Sequence, residues 1–153
     1  MICTIRARCI LAALLMALPA WAEPFVEIRI DGSVLRTLPL PEGQELCLTW
    51  AHSVTGGKVA DCFENLAGQL VLTRSYLHDF AAGLGEVAGR GRLVPATGGG
   101  YWIEQMNEPL PDNTLTLRIG SARVGHVLRM ADHVIPLSEL APGARALLIL
   151  APE

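Results

Sequence analysis

The residues with the widest chemical range in this sequence sit close together, in the run Trp50-Ala-His52-Ser53-Val54. An imidazole gives or takes a hydrogen bond and changes charge near neutral pH, and a hydroxyl both donates and accepts. The run reads as the end of a strand at a loop mouth. Alternation along a strand puts Trp50 and His52 on one face and Ser53 on the other. One indole and one imidazole can therefore line the same surface and meet a solute or a partner, while the hydroxyl holds the turn. The competing reading is that His52 bonds the loop backbone and only fixes the hairpin. The binding set expected from this pattern is Trp50, His52 and Ser53, joined by Asp61 on the return strand and by Gly83 in a glycine-rich segment able to approach it.

Other chemistries find weaker footing. His52, His78, His126 and His133 do not form the His-x-x-x-His or Cys/His spacing of a zinc site, so no metal and no cofactor is expected. Ser53, His78 and Asp79 supply the elements of a hydrolase triad, but Ser53 lacks the Gly-x-Ser-x-Gly elbow. Adjacent His78 and Asp79 on a strand would point to opposite faces, which orients an imidazole poorly. No catalytic residue is assigned. The run Gly98-Gly99-Gly100 has no Lys-Ser/Thr pair after it and reads as a loop rather than a phosphate cradle. Trp50 and Trp102 each fall on an expected strand, where core packing is the first reading and a ligand-stacking wall the second.

The elements that must position these residues are short strands with period 2. Phe25 to Ile30 and Ser33 to Leu38 flank Asp31-Gly32, a type I′ hairpin signature. Leu46 to His52 runs toward Gly56-Gly57 and returns through Val59 to Glu64; Ala67-Gly68 then turns the chain into Gln69 to Leu77. Glycines interrupt residues 81–100, leaving room only for a short strand at Gly91 to Val94. Tyr101 to Gln105, Thr114 to Ile119, His126 to Met130 and Arg145 to Leu150 resume the pattern. The one helical candidate is a turn at Ser138 to Leu140, with Ser138 as its N-cap and Pro142-Gly143 as its stop. The fold expected is all-β, an antiparallel sandwich or partly open barrel.

Cys47 and Cys62 flank the central hairpin. If Gly56 and Gly57 are its central turn residues, Cys47 faces Leu66 and Cys62 faces Ala51. The four-residue offset is about 13 Å along a strand, beyond the roughly 7 Å that a disulfide tolerates between Cα atoms. On that geometry no bridge is expected. A turn centred on Val54 and Thr55 would permit one.

The amino terminus has the layout of a cleavable export signal: Arg6 and Arg8, an apolar stretch from Ile10 to Leu18, then Pro19-Ala20-Trp21-Ala22. The apolar run is about half of the roughly 20 residues needed to span a bilayer. Residues 1–22 are therefore expected to be a signal peptide cut after Ala22, residues 23–153 a single domain, and the location periplasmic. That cut removes two of the 12 basic residues and none of the 15 acids, leaving 10 against 15 and a formal charge of −5. Such a balance disfavours a nucleic-acid partner or an anionic membrane surface.

From Phe25 almost to the carboxyl end the chain resembles the bacterial family known as domain of unknown function 1850. The resemblance is carried by Trp50-Ala-His52-Ser53-Val54, by the return strand Val59-Ala-Asp61-Cys-Phe63-Glu64, by Phe80-Ala81-Ala82-Gly83-Leu84, and by Ile135-Pro136-Leu137 with Pro142-Gly143. Thr55, Lys58 and Ala81 depart from the family pattern, in which an acid, a proline and a glycine are usual. Members are usually encoded beside TRAP solute transporters whose receptor is of the TAXI type. The resemblance thus implies an accessory protein of solute uptake. Together with the export signal, the acidic single domain and the lack of a catalytic constellation, it leads to the expectation of a non-enzymatic accessory or binding protein, with a TRAP transporter subunit, its receptor or its solute as partner. The alternative is a small hydrolase or metal-dependent enzyme using His52 with Asp61 or Glu64.

Overall fold

The computed structural model describes residues 23–79 and 89–151. The expected signal peptide and Gly83 lie outside these. The described chain is almost entirely β, as the alternation implies, and forms two antiparallel sheets. The smaller sheet comprises β1 (Phe25–Ile30), β2 (Ser33–Pro39), β9 (Thr114–Arg118) and β12 (Arg145–Ala151), in the order β2-β1-β12-β9. The larger contains β3 (Glu45–Ala51), β4 (Lys58–Leu66), β5 (Gln69–Leu77), β6 (Arg92–Pro95), β7 (Tyr101–Glu104), β10 (Val127–Met130) and β11 (His133–Ile135), in the order β11-β10-β3-β4-β5-β7-β6. The two-residue β8 (Glu108–Pro109) pairs with β5 off that path. The sheets stay separate, so the architecture is a sandwich rather than a closed barrel.

Alternation decides what lies between the sheets. In β12, Ala146, Leu148 and Leu150 are buried while the residues between them are not; in β3, Leu46 and Leu48 are buried likewise. They join Val26, Ile28, Phe63, Leu77, Ile103 and Leu128 in one core. Burying a side chain of this size contributes about 1.5–3 kcal/mol. The opposite face of the larger sheet is not covered by the smaller one, and that face matters below.

Asp31 and Gly32 both take positive φ, as the type I′ reading of the first hairpin requires. The central hairpin departs from expectation. Trp50 faces Val59 and Ala51 faces Lys58, which centres the turn on Val54 and Thr55 rather than on Gly56-Gly57. Local side chains account for it. The His52 Nδ1 accepts the backbone N–H groups of Val54 and Thr55 at 3.4 and 3.3 Å, and Thr55 Oγ1 accepts that of Gly57 at 3.2 Å. The His52 N–H to Gly57 carbonyl bond of 2.8 Å then closes the loop. This register places Cys47 opposite Cys62 with their Cα atoms 4.1 Å apart, and the two form a disulfide, contrary to expectation.

Three smaller corrections concern the second half. Ser138 is not an N-cap: α1 spans Leu137–Leu140 with no side-chain cap. The Ser138 hydroxyl instead accepts the His126 N–H and donates to the Gly120 carbonyl, tying the helix to the strand entry. The short strands β8 and β11 escape a period-2 reading because two or three residues are too few to alternate.

Candidate binding site

Asp61 occupies a core-facing position of β4, between Val59 and Phe63, where alternation would otherwise place an apolar side chain. A polar group there needs a partner. It has one in Ser75, which faces it on β5 and donates its hydroxyl to Asp61 Oδ1 at 2.5 Å. Burial pushes the Asp61 carboxyl above its usual range, opposed by the Ser75 bond and by the charge of Arg90; the charge of Glu108 adds to the rise. Arg90 itself is held by Glu108 through two bonds of 2.5 and 3.1 Å. Asp61, Ser75, Arg90 and Trp50 line a small, partly open cavity of about 90 Å³, together with Val59, Leu77 and Ile103.

The structure thus brings together Trp50 and Asp61 from the expected set. Trp50 packs against the core, with its indole 5.8 Å from the His126 ring. Burial lowers the His126 pKa, and its Nδ1 accepts the Gly120 N–H at 2.8 Å. His52 spends its Nδ1 on the turn backbone, and Ser53 is exposed beside it. The Ser53 carbonyl accepts Arg123 Nη2 at 2.6 Å, which fixes a loop to the hairpin tip. Glu64 aligns with Glu45 on the opposite face of β4 from Asp61. The two acids named as enzymatic partners of His52 are therefore on different faces of one strand.

That opposite face carries the larger concavity. One cross-strand row runs Val127, Thr49, Ala60, Tyr76, Trp102, Val94 through β10, β3, β4, β5, β7 and β6. The next row holds Arg129, Cys47, Cys62 and Arg74. Small side chains occupy the middle of both rows and form a low floor, with larger ones on either side as walls. The result is an open groove of about 770 Å³ bounded by Tyr76, Trp102, Arg129, the acids Glu45 and Glu104, and the loop at Ala96 and Thr97. It adjoins a second depression of about 530 Å³, lined by Lys58 and Arg123 among others, with Thr49, Ala60, Tyr76 and Arg129 common to the two.

The aromatic wall is firmly built. Tyr76 and Trp102 rings lie 5.3 Å apart, and the Arg74 guanidinium sits 4.4 Å above the Trp102 ring. Glu45 grips that guanidinium with bonds of 2.7 and 2.6 Å and raises its pKa further. Tyr76 donates its hydroxyl to the Gly99 carbonyl at 2.9 Å. At Gly100 an added Cβ would meet Leu77 O and the Tyr76 hydroxyl at 2.6 Å each, and the backbone has φ +73, so glycine is required where this loop closes on β5. Sequence reasoning named Trp102 as a stacking wall only as a second reading and missed Tyr76, Arg74 and Arg129. The available signal was the run of small residues at Cys47, Thr49, Ala60 and Cys62, all on one face of two paired strands.

No curated protein and no solved structure matches the chain. One family model does match, over residues 46–137, more than half of the chain and including β3, β4, β5, β7 and β10. The Asp61 cavity falls within that stretch, and so does the groove apart from Gln44 and Glu45. The chain belongs to the family described as Domain of unknown function (DUF1850).

Proposed function

We propose that this chain is an exported, periplasmic accessory or binding protein, and that it acts without catalysis by presenting the open face of its larger sheet to a solute or to a component of a TRAP transporter. The observation that carries the binding reading is the groove: a small-residue floor between an aromatic wall and an arginine-bearing wall. A concavity of this volume, with an apolar lining and a few placed polar groups, is the usual form of a ligand site. The amino-terminal layout of Arg6, Arg8 and the apolar stretch to Leu18 supports export.

In this reading the hairpin tip borders the site. Ser53 steadies Arg123 at one end of the groove, His52 sets the turn that makes this possible, and Trp50 and Asp61 support β3 and β4 from beneath. The test is a pull-down from native membrane extract with the tagged chain, alongside a Tyr76→Ala variant of unchanged melting temperature. Recovery of a transporter component by the unaltered chain, weakened by the variant, is the expected result. Recovery of none, at low and at physiological salt, would overturn the accessory role.

A further inference from the structure

The groove is divided by charge. Its depression beside the hairpin tip is lined by Lys58, Arg123 and Arg129 and by no acidic residue, in a chain whose formal charge is −3. Four arginines outside this depression, Arg29, Arg74, Arg90 and Arg92, each pair with a glutamate. Among the described residues Lys58 and Arg129 have no such pair; nor do Arg36, Arg118 and Arg145, but these lie outside the groove and are not gathered in one concavity. Arg123 bonds the Ser53 carbonyl, which fixes its guanidinium without neutralising it and leaves further donors. Three cations lining one depression raise the local potential for a small anion, and the acids of the adjoining groove, Glu45 and Glu104, are outside that lining, with Glu45 already holding Arg74.

The apolar part of a ligand has its own place. Thr49 and Ala60 form the floor shared by both depressions, and Tyr76 stands next to Ala60 in the same row, with Trp102 beyond it. Lys58 lies one strand and two residues from Tyr76. With strands about 4.8 Å apart and about 3.4 Å per residue, the diagonal is roughly 8 Å. A ring against Tyr76 and an anionic head near Lys58 can therefore belong to one small molecule. A long polyanion does not fit, because the protein outside this patch is acidic and would repel it.

We infer that the groove binds an organic carboxylate with a planar apolar body: the carboxylate meets Lys58, Arg123 and Arg129, and the body lies over Thr49 and Ala60 against Tyr76 and Trp102. This rests on the binding reading above and names its ligand class. Arginine forks match carboxylate geometry in two bonds at once, and an aromatic wall accepts a flat body at low entropic cost.

Calorimetric titration of the purified protein with phenylbutyrate, phenylbutyramide and phenyl phosphate tests it. The acid is expected to bind at least about tenfold more tightly than the amide, the factor that one charge-assisted contact supplies. Arg129→Gln and Lys58→Gln should each remove about that factor for the acid and leave the amide unchanged. Trp102→Leu should weaken both. Equal binding of acid and amide by the unaltered protein overturns the inference, and needs no variant to fold. So does binding of none of the probes at millimolar concentration, or preference for phenyl phosphate over the acid. Transporter recovery in the pull-down is scored separately, so a failure here with recovery intact removes the ligand class and leaves the accessory role standing.

Discussion

Cys47 and Cys62 face each other directly across β3 and β4, and their disulfide forms part of the floor of the open groove. The bridge closes a loop with a sequence separation of 15 and locks the register that aligns Thr49 with Ala60. A loop of that size is worth about 3 kcal/mol through the unfolded chain. Reduction, or the double change Cys47→Ser and Cys62→Ser, should lower the urea midpoint accordingly. Digestion under non-reducing conditions should yield one linked peptide pair containing both cysteines; separate peptides would refute the bridge.

Asp61 is a charge held under strain of solvation rather than of geometry. Burial is the main cause of its raised pKa. The folded state therefore binds this proton more tightly than the unfolded chain does, and the sign follows: the contribution is favourable in acid and is lost as pH rises from about 3.8 through the folded value. Above that window the full cost of the buried charge remains. Asp61→Asn keeps an acceptor for Ser75 and removes the charge, so its midpoint at neutral pH should equal or exceed that of the unaltered protein. The difference between the two should shrink as pH falls through the window. A variant clearly less stable at neutral pH would mean that Arg90 depends on the Asp61 charge.

The strands and the two-sheet class were legible because alternation reports burial residue by residue, as in β12, where every second position is buried. The turn of the central hairpin was not. Glycines at 56 and 57 advertise a turn, but the one that forms is chosen by His52 and Thr55 side chains bonding backbone N–H groups. Everything downstream of that register was hidden with it: the disulfide, the facing of Thr49 and Ala60, and the groove floor. Asp61 was legible only as an acid of the return strand; Ser75, which satisfies it, is fourteen positions away and becomes its neighbour only through β4–β5 pairing.

His126 should give the fold a pH dependence of the opposite sense. Burial lowers its pKa from the ordinary 6.5, and its neutral Nδ1 accepts the Gly120 N–H. The unfolded chain takes up this proton first, so stability is fully present above about 6.5 and is lost as pH falls from there to the folded value, below which the loss stops. His126→Asn retains an acceptor without the titration, and the step should vanish. Fluorescence of Trp50, whose ring lies 5.8 Å from the imidazole, offers a local reporter of the same event. A step that survives the substitution belongs to another group.

His52 separates the two roles that its sequence position allows. Its Nδ1 accepts two backbone N–H groups at 3.3 and 3.4 Å, both long for hydrogen bonds, and these close the turn that puts Ser53 within reach of Arg123. His52→Ala should therefore cost about 1 kcal/mol, read as a lower melting temperature. Binding in the groove should weaken at the Arg123 end, so the acid loses affinity while the amide does not. Loss of both probes at an unchanged melting temperature would instead make the imidazole a direct contact. If His52→Gln, which can still accept at the turn, restores both the melting temperature and acid binding, then the histidine acts through the hairpin it closes.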